Sequence, residues 1–117
     1  EGIDEISISD ITYASQLKNG IVTEFEIDPE VYGIKRAPLE AIIGGEAKQN
    51  ANILRNIFES NATDAQRDIV LINAAASLVV DGVARDMKDG FEIAREAIAN
   101  ARPKKKLRQI IEISNKL

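Results

Sequence analysis

The chain has 117 residues, of which 44% are hydrophobic and 29% are charged, and its formal net charge is −4. These values are typical of one globular domain with a modest core, and the acidic balance argues against a nucleic-acid-binding protein, which usually has a basic excess. The sequence contains no cysteine and no histidine, which excludes disulfides, thiolate metal sites and histidine acid–base chemistry.

The first 33 residues have the alternation of apolar and polar residues that is typical of strands. Ile6 and Ile8 alternate with serine residues, which predicts a short strand. The dipeptide Asn19-Gly20 tolerates the positive φ angles of a tight turn. It therefore predicts a hairpin over about residues 12–27, with one face buried.

The rest of the chain predicts helices. After a helical turn that ends at Gly33, Pro38 opens a short helix that Gly44-Gly45 would end in the left-handed conformation. Thr63 and Gln66 have the spacing of a capping box, in which each side chain bonds the other residue's backbone amide. Including the helix that Pro38 opens, about five helices are predicted, the other four at about 46–60, 64–81, 87–101 and from Pro103 onward.

The predicted helix over 64–81 is the most apolar part of the sequence. Its middle, from Ile69 to Val80, is apolar except for Asn73 and Ser77, so we expect it to be buried on nearly all sides. The two polar residues are four positions apart and share one face, and we expect them to form a satisfied buried hydrogen-bond pair. Gly90, inside the next predicted helix, indicates close packing, because glycine is unfavourable in a helix interior.

One hairpin is too little sheet for about five helices to cover, because an α/β fold needs more strands. The chain also starts at Glu1 and has Met87 as its single methionine. We therefore expect further strands to precede Glu1 in a longer protein.

Asp4-Glu5 is the one pair of adjacent acidic residues in the chain. Neighbouring carboxylates can supply the hard oxygen ligands that Mg²⁺ prefers, although a turn is needed because adjacent side chains of a regular strand point to opposite faces. Gly2 is consistent with such a turn. A chance pair on a solvated surface is the alternative.

Two further patterns have both a structural and a functional interpretation. Gly44-Gly45 before a helix resembles a phosphate-binding arrangement, but a helix end followed by a helix start explains it equally. A basic cluster opens the last helix and is either a solvated face or an anion or nucleic-acid site; no aromatic residue is interleaved to stack bases. The cluster comprises Arg102, Lys104, Lys105, Lys106 and Arg108.

Taken in order, these segments resemble the C-terminal third of the anthranilate phosphoribosyltransferases of glycosyltransferase family 3. The matching segments are GIDEIS from Gly2, LKNG in the hairpin, GGEAKQNANILRNIF from Gly44, RDIVLINAAASLVVDG from Arg67 and GFEIAREAI from Gly90. The resemblance covers essentially all 117 residues. It implies the C-terminal portion of a single nucleoside-phosphorylase/phosphoribosyltransferase-like α/β domain, without the helical N-terminal domain and the phosphate loop.

The resemblance also implies a function, the transfer of phosphoribosyl from phosphoribosyl pyrophosphate to anthranilate in tryptophan biosynthesis. Asp4 and Glu5 would hold Mg²⁺ against the diphosphate, with Glu5 touching two ions and Asp4 one. The family's ribose-phosphate and anthranilate residues have no counterpart here, so no catalytic residue is assigned and we expect the 117 residues alone to be inactive. We expect a cytoplasmic homodimer for the complete protein, no membrane or nucleic-acid partner, and self-association of this part alone.

The sequence departs from the family pattern at two places, Asp10-Ile11, where Gly-Pro is common, and the lysine run 104–106. Neither touches the acidic pair. Three other interpretations are weighed. A nucleoside phosphorylase half would lack the acidic pair, a nucleic-acid-binding relative would use the basic cluster, and an interaction module would have its apolar surface covered by another chain.

Overall fold

A computed structural model describes residues 2–117. The chain begins with an irregular segment, continues through an antiparallel hairpin and two short 3₁₀-helices, and ends in four α-helices. The α/β class is therefore confirmed, but the short helix predicted after Pro38 is a 3₁₀-helix, so four α-helices are present in the described residues rather than about five. The elements are β1 (Thr12–Lys18), β2 (Ile21–Ile27), 3₁₀-helices Pro29–Tyr32 and Leu39–Ile42, α1 (Ala47–Phe58), α2 (Asp64–Val80), α3 (Met87–Ala99) and α4 (Arg102–Ser114).

The hairpin forms where the sequence predicts it. Thr12 pairs with Ile27 at the open end and Lys18 with Ile21 at the turn. Both turn residues have the positive φ angles that the dipeptide tolerates, 53° at Asn19 and 77° at Gly20. The expected burial of one face is wrong for these 116 residues, because the strands are exposed along most of their length.

The α2 helix begins with the predicted capping box. Thr63 accepts a hydrogen bond from the Gln66 amide, and the Gln66 side chain accepts one from the Thr63 amide. The helix ends at Val80, and Gly82 takes the left-handed conformation just beyond it. These local signals stabilise the helix ends, which otherwise leave backbone groups without partners.

The core lies between α2, α3 and the loops that flank the hairpin. It contains Ile8, Ile27, Ile34, Leu71, Ile72, Ala75, Phe91 and Ala94. The expectation that α2 is buried on nearly all sides is wrong here, since the helix buries one face and its last residue, Val80, is 84% exposed. The apolar residues on the other faces of α2 are only half-covered.

The α2 and α3 helices meet closely at Gly90. A Cβ atom at this position would lie 2.7 Å from the carbonyl oxygen of Ala75 on α2. The close approach explains a glycine inside α3, where it costs about 1 kcal/mol of helix propensity.

The radius of gyration is 15.3 Å, whereas a compact domain of this length is expected to have one of about 13 Å. The exposed hairpin and α4 are consistent with this larger radius, since Ile110 and Ile111 on α4 are 56% and 43% exposed. No helix within residues 2–117 has both the length and the apolar content to cross a bilayer.

Candidate metal centre

The acidic pair lies at a bend near the start of the described chain. Asp4 and Glu5 are both exposed, and Gly2 just before them has a φ of 75°, in the left-handed region that favours glycine. The turn that joint metal ligation requires is therefore present. The strand predicted from Ile6 and Ile8 is not, because this segment is irregular and its hydrogen bonds go to side chains and loops instead.

Asn73 on α2 holds the backbone that follows the bend. The Ile6 amide donates to Asn73 Oδ1 at 2.9 Å, and Asn73 Nδ2 donates to the Ile6 carbonyl at 2.9 Å. The same nitrogen donates to the carbonyl of Ile69, also at 2.9 Å. The N–H and the carbonyl group of Ile6 are thus both hydrogen-bonded to Asn73, as they would be to a residue of a neighbouring strand.

The prediction that the side chains of Asn73 and Ser77 form a buried pair is wrong, because each side chain bonds a main-chain group instead. Ser77 is exposed, and its hydroxyl donates to the main-chain oxygen of Asn73 at 3.1 Å, not to the side chain. The asparagine amide is satisfied by a segment 67 positions away. Spacing along a helix identifies a shared face but carries no information about so distant a partner.

The residues after Ile6 fix the other side of the bend. Ser7 and Ile8 are buried, the Ser7 amide donates to Thr12 Oγ1 at 3.0 Å, and the Ala37 amide donates to the Ile8 carbonyl at 3.2 Å. Exposed carboxylates therefore project from a backbone that is anchored directly behind them.

Glu5 also borders an open groove of about 920 Å³ along α2. The groove is lined by half-covered and exposed apolar residues of the helix, with Asn73, Ser77 and Asp81 as its other polar members. The groove therefore has the Glu5 carboxylate at its border and the apolar side chains of α2 along its wall.

The acidic pair fits a hard cation that is shared with another ligand. Across residues 2–117, neither Asp4 nor Glu5 forms an ion pair with a basic side chain. In the same range, no group of three or more acidic, histidine or cysteine residues could hold a metal ion by itself. Mg²⁺ commonly takes one or two carboxylates and completes its shell with water and substrate phosphates, so two oxygen donors on a fixed bend suit it.

Arg36 forms a second anchor that no sequence pattern predicts. Its guanidinium donates to Asp10 at 2.8 Å and to Asp28 at 3.3 Å, which joins the loop after the acidic segment to the end of β2. The Ile11 amide and the Arg36 guanidinium both hydrogen-bond the Asp10 carboxylate and lower its pKa. The departure from the family pattern at Asp10-Ile11 thus coincides with an ion pair that closes this loop.

The structure supports the structural interpretation of Gly44-Gly45. Asn50 accepts from the Gly45 amide at 2.7 Å and donates to the Gly45 carbonyl at 2.8 Å, so this amide already has a partner. Neither glycine is left-handed, contrary to the predicted helix end. At Gly44 a Cβ atom would meet the hydrogen-bonded side chain of Asn50, whereas at Gly45 it would meet only the movable end of the Gln49 side chain.

The basic cluster at the start of α4 has one member with a structural partner. Lys104 forms an ion pair with Glu59 at 2.6 Å, which joins the start of α4 to the end of α1. The same lysine lowers the pKa of the Glu59 carboxyl. Arg102, Lys105 and the other members remain exposed, in agreement with a solvated face.

The fold is that of a known class of proteins. The model of the glycosyl transferase family, a/b domain, matches residues 1–102, and the chain belongs to this family. A relative named anthranilate phosphoribosyltransferase from Azospirillum brasilense is 47% identical over 115 residues, which are 98% of this chain and 32% of the relative. One of the same name from Rhodopseudomonas palustris (strain TIE-1) is 43% identical over 114 residues, 97% of this chain and 33% of the relative.

Solved structures agree with this assignment. Anthranilate phosphoribosyltransferase from Thermus thermophilus has a TM-score of 0.83 at 29% identity, over 93% of this chain and 32% of that one. The Saccharomyces cerevisiae enzyme, solved in complex with 4-fluoroanthranilate, has a TM-score of 0.86 at 21% identity, over 99% and 34%, and shows the fold alone. The chain spans about a third of the length of the curated relatives it matches.

Proposed function

We propose that this chain is the part of an anthranilate phosphoribosyltransferase that holds divalent metal. Its substrates in the complete protein would be phosphoribosyl pyrophosphate and anthranilate, and its cofactor would be Mg²⁺, held by Asp4 and Glu5. The observation that carries the proposal is the exposed acidic pair on an anchored bend, in a chain whose relatives bear this name at 39–47% identity.

The chemistry of the transfer explains why a carboxylate pair belongs at this place. When phosphoribosyl passes to an amine, the bond from the ribose carbon to the diphosphate breaks, and the departing pyrophosphate gains negative charge. Bound Mg²⁺ offsets that charge as a Lewis acid. Asp4 and Glu5 contribute the negative charge that retains the cation, and the anchored backbone at Ile6 keeps their oxygens in one place during the reaction.

The test is removal of the charge at both positions in the complete protein. Asp4→Asn and Glu5→Gln, singly and together, preserve side-chain size while removing the anionic oxygen. We expect the double variant to lose at least about 100-fold in transfer rate at a fixed Mg²⁺ concentration, since metal stabilisation of a departing anion contributes several kcal/mol. The rate of anthranilate consumption, followed against Mg²⁺ concentration, measures the effect.

Glu112→Gln is the matched control, because Glu112 is an exposed carboxylate on α4, far along the chain from the bend. We expect it to have the wild-type rate and the wild-type Mg²⁺ requirement. Normal turnover of the double variant at ordinary Mg²⁺ concentrations would refute the proposed site.

Two expectations about the complete protein rest on the family resemblance alone. We propose that it is a homodimer and that it works in the cytoplasm. Sedimentation of the complete protein and fractionation of cells that produce it are the respective measurements. A monomer, or recovery in a compartment other than the cytoplasm, would contradict them.

A further inference from the structure

The side chain of Asn73 has one orientation that satisfies its surroundings. Its nitrogen faces two carbonyl oxygens, those of Ile6 and Ile69, and its oxygen faces the Ile6 amide. A flipped amide would place an acceptor against both carbonyls and donors against an N–H group. The bonding pattern is therefore specific to a group that donates and accepts in one plane.

No other side chain of similar size reproduces this pattern. Aspartate keeps the acceptor for the Ile6 amide but has no donors when ionised, so it would repel the two carbonyl oxygens. Leucine is similar in volume but has no polar atoms, and alanine leaves the Ile6 backbone without a partner. Position 73 thus requires a side chain that both donates and accepts hydrogen bonds, and a side chain of the same volume without these groups does not replace it.

The two hydrogen bonds between the Asn73 side chain and the Ile6 backbone, which we call the clamp, lie next to the acidic pair. Ile6 follows Glu5 directly, so that the residue bearing the second carboxylate shares a peptide bond with the clamped residue. On the other side, Asn73 follows Leu71 and Ile72, which are 1% and 0% exposed in the core. These hydrogen bonds therefore join an exposed bend to the buried core of the molecule.

We infer that Asn73 is a positioning residue that sets the direction of the Asp4 and Glu5 carboxylates toward a divalent cation. The inference rests on the proposed function, because it assigns a supporting group to the metal site proposed there. Groups that orient metal ligands typically change metal affinity by roughly 10–100-fold when they are removed. Asn73 acts through the Ile6 backbone and touches neither carboxylate in any hydrogen bond described above.

The experiment compares Asn73→Ala, Asn73→Ser and Asn73→Asp with wild type in the complete protein. Mn²⁺ serves as the probe, titrated with inorganic pyrophosphate present and followed by electron paramagnetic resonance of the free ion. We expect each variant to bind Mn²⁺ roughly 10–100-fold more weakly. The Mg²⁺ concentration for half-maximal transfer should rise by a similar factor, and saturating Mg²⁺ should restore part of the rate.

Ser77→Ala is the control, since Ser77 lies one turn further along α2 and its hydroxyl bonds only the main-chain oxygen of Asn73. We expect it to bind Mn²⁺ as wild type does. Thermal unfolding of every variant separates an effect on metal binding from an effect on the fold.

Each result decides between a positioning role and a purely structural one. Mn²⁺ affinity within twofold of wild type in folded Asn73 variants would overturn the inference, even if their unfolding temperature fell. Loss of folded protein in all three variants, with Ser77→Ala folding normally, would assign the amide to the fold and would also overturn it. If instead Asp4→Asn with Glu5→Gln left Mn²⁺ binding and transfer intact, the proposed function itself would fail, and the two failures are thus distinguishable.

Discussion

Gly90 sets the distance between α2 and α3, and its replacement by alanine has a predictable sign. A Cβ atom there would lie 2.7 Å from the oxygen and 3.0 Å from the Cα atom of Ala75. These distances would have to widen to the 3.4 Å at which ordinary van der Waals contact begins. Both neighbouring atoms belong to the backbone, so the helices themselves must move.

Two opposing effects determine the magnitude for Gly90→Ala. Alanine is favoured over glycine inside a helix by about 1 kcal/mol. Overpacking of a close-packed interface typically costs about 1–3 kcal/mol, because side chains and backbone must shift from their best contacts. We therefore expect a net loss of about 1 kcal/mol in the free energy of opening α2 and α3, which is about a fivefold change in the equilibrium constant.

Amide hydrogen exchange in peptides that span α2 and α3 measures this loss in the folded protein. Exchange should be about fivefold faster in Gly90→Ala than in wild type. Gly45→Ala is the matched control, because its Cβ atom would meet only the end of the flexible Gln49 side chain. Slower exchange in Gly90→Ala than in wild type would show that helix propensity outweighs the close approach and would refute the reasoning.

Three shorter predictions concern the helix ends and the exposed hairpin. Thr63→Ala removes half of the capping box and should lower the stability of the start of α2 by about 1 kcal/mol, so amide hydrogen exchange in its first turn should become faster. An unchanged exchange rate would contradict the role of the cap. The Arg85 side chain and amide lower the pKa of Asp89 from 3.8, so the stabilisation is present above that value and is lost as the pH falls through the folded-state pKa. Asp89→Asn should therefore flatten the dependence of the thermal midpoint on pH below about pH 4, and an unchanged slope would disprove the linkage. Leu17 and Val22 are an exposed cross-strand pair, so changing both to serine should reduce the self-association that we expect of the isolated 117 residues, as measured by sedimentation; equal association would place the contact elsewhere.

The elements that the sequence predicts correctly are those with a local physical signal. The turn at Asn19-Gly20 follows from the positive φ angles that these residues tolerate, and the start of α2 follows from the spacing of Thr63 and Gln66. The close packing that Gly90 indicates is confirmed by its distance to Ala75. Each signal involves a few neighbouring residues or a clear steric property.

The features that the sequence does not predict depend on contacts between distant segments. Apolar periodicity shows which face of α2 avoids water but not what covers it, so the extent of burial is overestimated. The helix predicted after Pro38 is too short for α-helical geometry to be distinguished from a 3₁₀ turn. The bend at Asp4 and Glu5 could be anticipated from Gly2, whereas its anchor at Asn73 could not, because no local pattern links the two segments.

The clamp between residues 6 and 73 has a consequence for the order of assembly. Closing a loop over 67 positions is entropically costly, and two neutral hydrogen bonds offset little of that cost in water. We therefore expect the bend to become ordered only after Ile8, Leu71 and Ile72 have joined the core. During synthesis the acidic pair would leave the ribosome before α2 and stay disordered until that helix followed, so that its geometry would form late in folding.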